Sequence, residues 1–244
     1  MSDYKLKIVH LFPDFLNLYG DKGNIEAMRK RLEWRDVEAE VCLCTEGNEE
    51  IDFENTDIFV LGGGSDREQE TVRLKLMEKK DAFKDYAEKG GVILATCGGF
   101  ELLGNTIRKG EEETECLGIL DIETDIAEDG KRFTGNIIIE NGELGKIVGF
   151  ENHSGRMNIK DNSPLGKVIT GKGNDGKSGA EGVIYKNVFG TYLHGPLLPK
   201  NPDLCDYILN RALKRKYEDF MGLMPLGDHL EDKARRYIIK RFLG

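Results

Sequence analysis

At 244 residues, with 39% hydrophobic and 32% charged residues and a net charge of −9, the chain is long enough for one sizeable α/β domain and ordinary in composition for a globular protein. The acidic balance argues against nonspecific binding to nucleic-acid backbone, and no apolar run approaches the length of a membrane span. The start, Met1-Ser2-Asp3-Tyr4-Lys5, lacks the pattern of a signal peptide, so a cytoplasmic protein is expected.

Lys5 to Leu11 reads as a first strand, closed by Phe12-Pro13-Asp14. A turn-rich loop follows, with Asn24 the expected N-cap of a helix carried by Ile25, Met28 and Leu32 and ending near Arg35. Val37 to Cys44 makes a second strand and Asp57 to Leu61 a third. The third ends in Gly62-Gly63-Gly64-Ser65-Asp66, and one helix is predicted through Val72, Leu76 and Phe83 to about Lys89. Three glycines after a strand suit a phosphate cradle, an oxyanion hole or a plain tight turn; the Gly-Lys-Ser/Thr ending of a Walker loop is absent.

The stretch Gly90-Gly91-Val92-Ile93-Leu94-Ala95-Thr96-Cys97-Gly98-Gly99-Phe100 is strand, sharp turn, then helix. Such a turn lifts a nucleophile clear of the sheet, and a helix N-terminus behind it lowers a thiol's pKa. Cys97 is therefore either an activated nucleophile or a small buried hydrophobe at a strand end. The element order to this point implies a mostly parallel sheet with right-handed crossovers, whose working groups gather at the carboxyl ends of the strands.

From Ile119 the pattern changes to short runs, Phe133–Glu140, Lys146–Phe150, Lys167–Thr170, Gly182–Tyr185 and Val188–Leu193, which predict an antiparallel extension. Residues 171–179, rich in glycine, read as a mobile hairpin or loop. Helices are predicted at Asp203–Lys216 and Asp228–Phe242. Their basic clusters, 211–216 and 233–236, read as solvated faces.

The cysteines are Cys42, Cys44, Cys97, Cys116 and Cys205, an odd set without a CxxC pair, which fits reduced thiols. The histidines, His10, His153, His194 and His229, are scattered, so no metal site is expected. A cysteine nucleophile needs a base. His194 ends a strand able to lie beside that of Cys97, and His153 also follows a strand; His10 reads as a hydrogen-bonded structural residue and His229 as exposed.

The runs 62–66, 95–100, Glu151-Asn152-His153-Ser154-Gly155-Arg156 and Gly190-Thr191-Tyr192-Leu193-His194-Gly195-Pro196 resemble motifs of the class I glutamine amidotransferases of the cobyric acid synthase type. Leu11 to Asp14, Leu18 to Asn24 and Arg132 to Asn136 are similar to the same group. The resemblance implies an amidotransferase domain over 1–202, a mostly parallel central sheet flanked by helices with an antiparallel extension, and a C-terminal helical extension, 203–244, packed on the same domain. It implies that Cys97 attacks the side-chain amide of glutamine, that His194 handles protons, and that amides of Gly63 or Gly64 and of Gly98 hold the oxyanion. Arg132 is the choice for the glutamine carboxylate. Many class I members resemble a Cys-His-Glu triad with the acid two residues after the histidine; here Pro196 stands there, leaving Asp14, Asp21 and Glu151 as candidates.

No ATP loop is present, so the chain needs a partner to activate an acceptor. The resemblance implies a MurT-like Mur-ligase synthetase that uses ATP to amidate the D-glutamate of lipid II at the inner face of the membrane, with no cofactor in this chain. A cobyric-acid-type subunit, a stand-alone cysteine amide hydrolase and a non-enzymatic binding protein are the alternatives.

Overall fold

A computed structural model describes residues 4–48, 50–127 and 129–243. In chain order the elements are β1 (Lys5–Leu11), α1 (Lys22–Glu33), β2 (Glu38–Cys44), β3 (Ile58–Leu61), α2 (Asp66–Met77), α3 (Lys80–Glu88), β4 (Val92–Thr96) and α4 (Gly98–Leu102). There follow β5 (Thr106–Lys109), β6 (Glu112–Glu115), β7 (Glu123–Ile126), β8 (Phe133–Asn141), β9 (Gly145–His153), β10 (Gly155–Asn158) and β11 (Gly166–Thr170). The chain closes with β12 (Ala180–Glu181), β13 (Val183–Tyr185), β14 (Val188–Thr191), a 3₁₀ turn at Leu198–Lys200, α5 (Pro202–Lys216) and α6 (His229–Leu243).

The central sheet has the order β13-β14-β4-β3-β1-β2, parallel throughout except for β13 at the edge. All residues of β3 and β4 are buried, as expected of strands covered on both faces. Alternation divides them: Phe59 and Leu61 join one apolar cluster with Phe83, Tyr86 and Phe100, whereas Ile58 and Val60 join another with Met28, Leu32, Ile208 and Leu209. Two further four-stranded sheets, β10-β7-β5-β6 and β12-β11-β8-β9, lie beyond. The expected mixed α/β architecture is thus observed, with β14 paired in parallel to β4.

Several boundaries differ from expectation. The single helix predicted between Ser65 and Lys89 is two, broken at Glu78 and Lys79. The break re-aims α3 so that Phe83 and Tyr86 pack on Phe53 and Phe59. Helix α1 starts after Asp21 rather than Asn24; the Asn24 amide oxygen instead accepts from the backbone of Leu198 at 2.9 Å. Strands β5, β6, β7, β10 and β12 were not foreseen. The glycine-rich segment 171–179 is a loop, yet Asn174 is fully buried and the amides of Lys172 and Gly173 donate to Glu151.

Helix α5 buries Leu204, Cys205, Ile208, Leu209 and Leu213, whereas α6 buries none of its residues. Arg31 of α1 ties the C-terminal segment down, donating to both oxygens of Asp206 (2.6 and 2.7 Å) and of Asp228 (2.6 and 2.8 Å). Its side chain is 5% exposed and the two aspartates 22% and 19%. Arg31→Ala should therefore cost about 2–3 kcal/mol, somewhat less than a wholly buried pair because the aspartates keep some water. Urea unfolding at pH 7 measures the loss.

Candidate active site

Cys97 leaves β4 with φ 51° and ψ −118°, outside the regions an L side chain prefers, and α4 begins at the next residue. Its N–H donates to Thr191 O on β14 (2.8 Å), and its carbonyl accepts from Glu101 N (3.1 Å). The carboxyl end of β3 presses against this elbow. A Cβ on Gly63 would stand 2.9 Å from Cys97 Cβ, and one on Gly99 would stand 2.6 Å from Gly62 O and 2.7 Å from Leu61 O. Neither position admits a side chain.

A cavity of about 470 Å³ opens at the elbow, with Cys97, Gly64, Gly98, Tyr19, Arg132 and His153 on its walls. Arg132 docks on Asn152 through Nε to Oδ1 (2.7 Å) and through a terminal nitrogen to the backbone oxygen (2.6 Å). Gly64 and Gly98 border the space beside the thiol, and the Gly98 amide pulls the thiol pKa down. The Gly63 amide is turned toward Asp21 Oδ2 at 3.3 Å. Of the two alternatives in that turn, Gly64 therefore faces the cavity.

His194 stands three residues past Thr191, the β14 residue in register with Thr96. It is buried, and its ring stacks on that of Tyr19 at 3.9 Å. Tyr19 is a cavity wall, but His194 is not. His153 does reach the cavity; its Nδ1 lies 2.9 Å from Gly155 O and its ring stacks on Tyr192 at 3.6 Å. Neither nitrogen of His194 nor Nε2 of His153 finds a hydrogen-bond partner among the described residues. Cys97 and His194 share the carboxyl end of adjacent strands, with Tyr19 against the imidazole and His153 a second imidazole at the cavity.

The electrostatics depart from expectation at Cys97. Burial, followed by the charge of Glu101, pushes the thiol well above its ordinary range, and the Gly98 amide opposes this only partly. A five-residue helix supplies too little field to win against desolvation. Burial lowers His194 to about 4, with Lys200 and Arg132 adding to the effect. Burial likewise lowers His153 to about 3. Both imidazoles are thus neutral at pH 7, the form a proton acceptor requires.

None of the candidate acids is seen bonding to His194. Asp14 is exposed and accepts from Glu46 N. Asp21 is buried and accepts from Thr96 Oγ1 at 2.7 Å. Glu151 accepts from Lys172 and Gly173 and lies 4.0 Å from His153 Nε2. His10 lies buried in β1, but the hydrogen bond expected of it is not made by Nε2 among the described residues; His229 is exposed, as expected.

Sequence reading passed over Tyr19, Gln69, Glu101 and Tyr192. Glu101 is buried four residues after Cys97 and accepts from Tyr192 OH and Gln69 Nε2, both at 2.9 Å. A glutamate one helical turn beyond the cysteine was the available signal, since that spacing returns to the same face. Among the described residues, no group of three or more His, Cys, Asp or Glu is arranged to hold a metal ion.

The fold and elbow define a class. The CobB/CobQ-like glutamine amidotransferase domain matches residues 7–202, and the chain belongs to that family. It is 43% identical to the subunit GatD of lipid II isoglutaminyl synthase (glutamine-hydrolyzing) from Staphylococcus aureus, over 98% of this chain and 96% of that protein. The GatD subunit from Streptococcus pneumoniae is 39% identical, over 94% and 89%. A probable cobyric acid synthase from Methanosphaera stadtmanae is 30% identical over 76% of this chain but only 39% of its own length. Among solved structures, a glutamine amidotransferase superposes with a TM-score of 0.56 at 18% identity, covering 84% of this chain and 98% of that one. Another from Thermotoga maritima gives 0.54 at 15%, covering 97% and 89%. These share the fold.

Glu181 is fully buried beneath the site, accepting from Thr191 Oγ1 (2.6 Å) and Tyr192 N (2.8 Å). Burial raises its pKa from 4.5 to about 7. A raised acid binds its proton more tightly folded than unfolded, so its stabilising contribution is complete below about pH 4.5 and lost as pH rises through about 7. Glu181→Gln, neutral at every pH, should exceed the wild type at pH 8 by up to about 3 kcal/mol, with the gain vanishing below the lower limit. Denaturant unfolding across that range reads the difference.

Proposed function

We propose that this chain is a glutaminase subunit that hydrolyses L-glutamine and delivers the ammonia to an ATP-dependent synthetase. The observation that carries the reading is the strained Cys97 elbow opening on a cavity that Arg132 also borders. In the proposed reaction, Arg132 pairs with the substrate carboxylate, and Sγ attacks the side-chain amide carbon while His194 takes the thiol proton. The oxyanion receives the amides of Gly64 and Gly98, each such donor worth about 3 kcal/mol. The C–N bond then breaks, the imidazolium returns its proton to the leaving nitrogen, and ammonia departs. Water attacks the thioester, releasing glutamate and restoring the thiol.

The GatD relatives support a lipid II acceptor. On that reading the partner is a MurT-like Mur-ligase synthetase that spends ATP to activate the D-glutamate carboxyl, and this chain works at the inner face of the membrane through that partner. It carries no cofactor of its own. No helix among the described residues is long and apolar enough to cross a membrane. For the base, one observation favours a second assignment: His153, rather than His194, borders the cavity.

Glutamate release from L-glutamine by the chain with its synthetase is the test. Cys97→Ala should lose at least ~10³-fold, and the true base ~10²- to 10⁴-fold when changed to alanine. A larger loss in His153→Ala than in His194→Ala would transfer the role. Arg132→Ala should raise KM roughly 10- to 100-fold, the worth of a charge-assisted pair. Turnover of other amides with no need for a synthetase would favour a stand-alone hydrolase; amidation of a cobyric-acid-type acceptor would favour that subgroup.

A further inference from the structure

The basic run 211–216 is only partly a solvated helix face. Arg211, Lys214 and Arg215 of α5 border a cavity of about 670 Å³, together with Tyr207, Asn187 and the carboxylate of Glu143. That volume falls in the range of small-molecule sites. The cavity lies at the amino end of the central sheet, the end away from Cys97. Asn187 immediately precedes β14; its carbonyl accepts from Ile93 N of β4 (3.1 Å) and its Nδ2 donates to Gly90 O (2.7 Å).

Unanswered positive charge sets this cavity apart. Its three cations are three and four residues apart along α5, a spacing at which like charges repel. A helix C-terminus favours cations, yet none of the three pairs with a carboxylate among the described residues, and Glu143 is exposed. The adjoining cavity, which shares Arg215, is different: there Lys5 pairs with Glu40 (2.8 Å), Lys7 with Asp52 (3.1 Å) and Lys216 with Asp57 (2.7 Å). In a chain of net charge −9, carboxylates are plentiful. They are kept away from Arg211, Lys214 and Arg215.

Arg211 is also held in place. One terminal nitrogen donates to Asn187 Oδ1 (3.3 Å), the other donates to Tyr207 OH, and the guanidinium lies 4.8 Å over the Tyr207 ring. A guanidinium fixed in this way keeps further N–H groups for a ligand, with little ordering left to be done on binding. Tyr207 OH, an acceptor from Arg211, retains its own proton to donate. The complement of these donors is a group with several anionic oxygens close together, as phosphates have.

We propose that this cavity binds a phosphate-bearing ligand, a diphosphate or phosphate ester, whose oxygens pair with Arg211, Lys214 and Arg215 at the end of the sheet away from Cys97. Two probes separate a soluble ligand from a lipid headgroup: inorganic diphosphate, followed by calorimetry, and vesicles of phosphatidylglycerol or phosphatidylcholine, followed by sedimentation. Diphosphate binding without sedimentation assigns the free compound, and sedimentation with the phosphatidylglycerol vesicles alone assigns the headgroup. Whichever binds, Lys214→Glu with Arg215→Glu, two exposed positions, should weaken it at least about tenfold, the worth of charge-assisted hydrogen bonds. Should urea unfolding show that pair to be misfolded, Lys214→Gln with Arg215→Gln takes its place under the same criterion. Arg211→Lys keeps the charge but loses the planar fork, and should also weaken binding. Lys233→Glu with Lys240→Glu makes the same charge change on exposed positions of α6, and at physiological salt should leave binding within about twofold. Binding of neither probe to the wild type overturns the site. Equal weakening by the α6 pair overturns it too, since general charge attraction would then suffice.

Discussion

Everything at this site depends on how closely the carboxyl ends of β3 and β4 approach. The turn after β3 touches the cysteine, and the first turn of α4 lies on the last carbonyls of β3, so a single methyl at Gly63 or Gly99 would separate them. Asp21 clamps the same point from the loop before α1, accepting from Thr96 Oγ1 and from the Gly63 amide. Three segments far apart in sequence are thereby held within one hydrogen-bonded knot. The left-handed backbone of Cys97 costs on the order of 1–3 kcal/mol, and the buried strands on either side keep it from relaxing. Strain at the elbow and close packing beneath it are one arrangement.

Tyr192 extends that arrangement into the second half of the chain. Its hydroxyl donates to Glu101 on α4, its backbone N–H donates to Glu181, and its ring lies flat on His153 at the end of β9. The β8–β9 hairpin is therefore coupled to the cysteine helix through one buried side chain. Arg132, just before β8, reaches the cavity by gripping Asn152 on the paired strand. The cavity is bordered by Cys97 at the end of one sheet and by Arg132 and His153 beside another, two separate hydrogen-bonded units that Tyr192 links.

The central sheet was legible in the sequence because its strands are continuous apolar runs, the signature of burial on both faces. Cys97 and the glycines around it were legible for a related reason: few residue types tolerate that backbone. The hairpin Thr106–Lys109 and Glu112–Glu115 escaped because it is polar and held by cross-strand pairs such as Arg108 with Glu113, which leave no periodic trace. The break at Glu78 and Lys79 escaped for want of a Gly or Pro to announce it. Histidine roles were the least legible, since motif order fixes which strand a residue ends and not whether a tyrosine lies over its ring.

The electrostatics constrain how the proposed chemistry can start. With the thiol pushed up and both imidazoles pushed down by burial, a resting thiolate–imidazolium pair is disfavoured on both sides of the proton transfer. The field of Arg132 does not by itself resolve this, because it lowers the thiol and His194 together. What changes during attack is the location of the negative charge, which passes from sulfur to the carbonyl oxygen, where amides of Gly64 and Gly98 meet it. Proton removal and carbon–sulfur bond formation are then favourable only together. On the proposed mechanism, stabilisation is concentrated on the tetrahedral oxyanion, and a buried neutral thiol and imidazole would keep the cysteine from reacting before an amide carbon is in place.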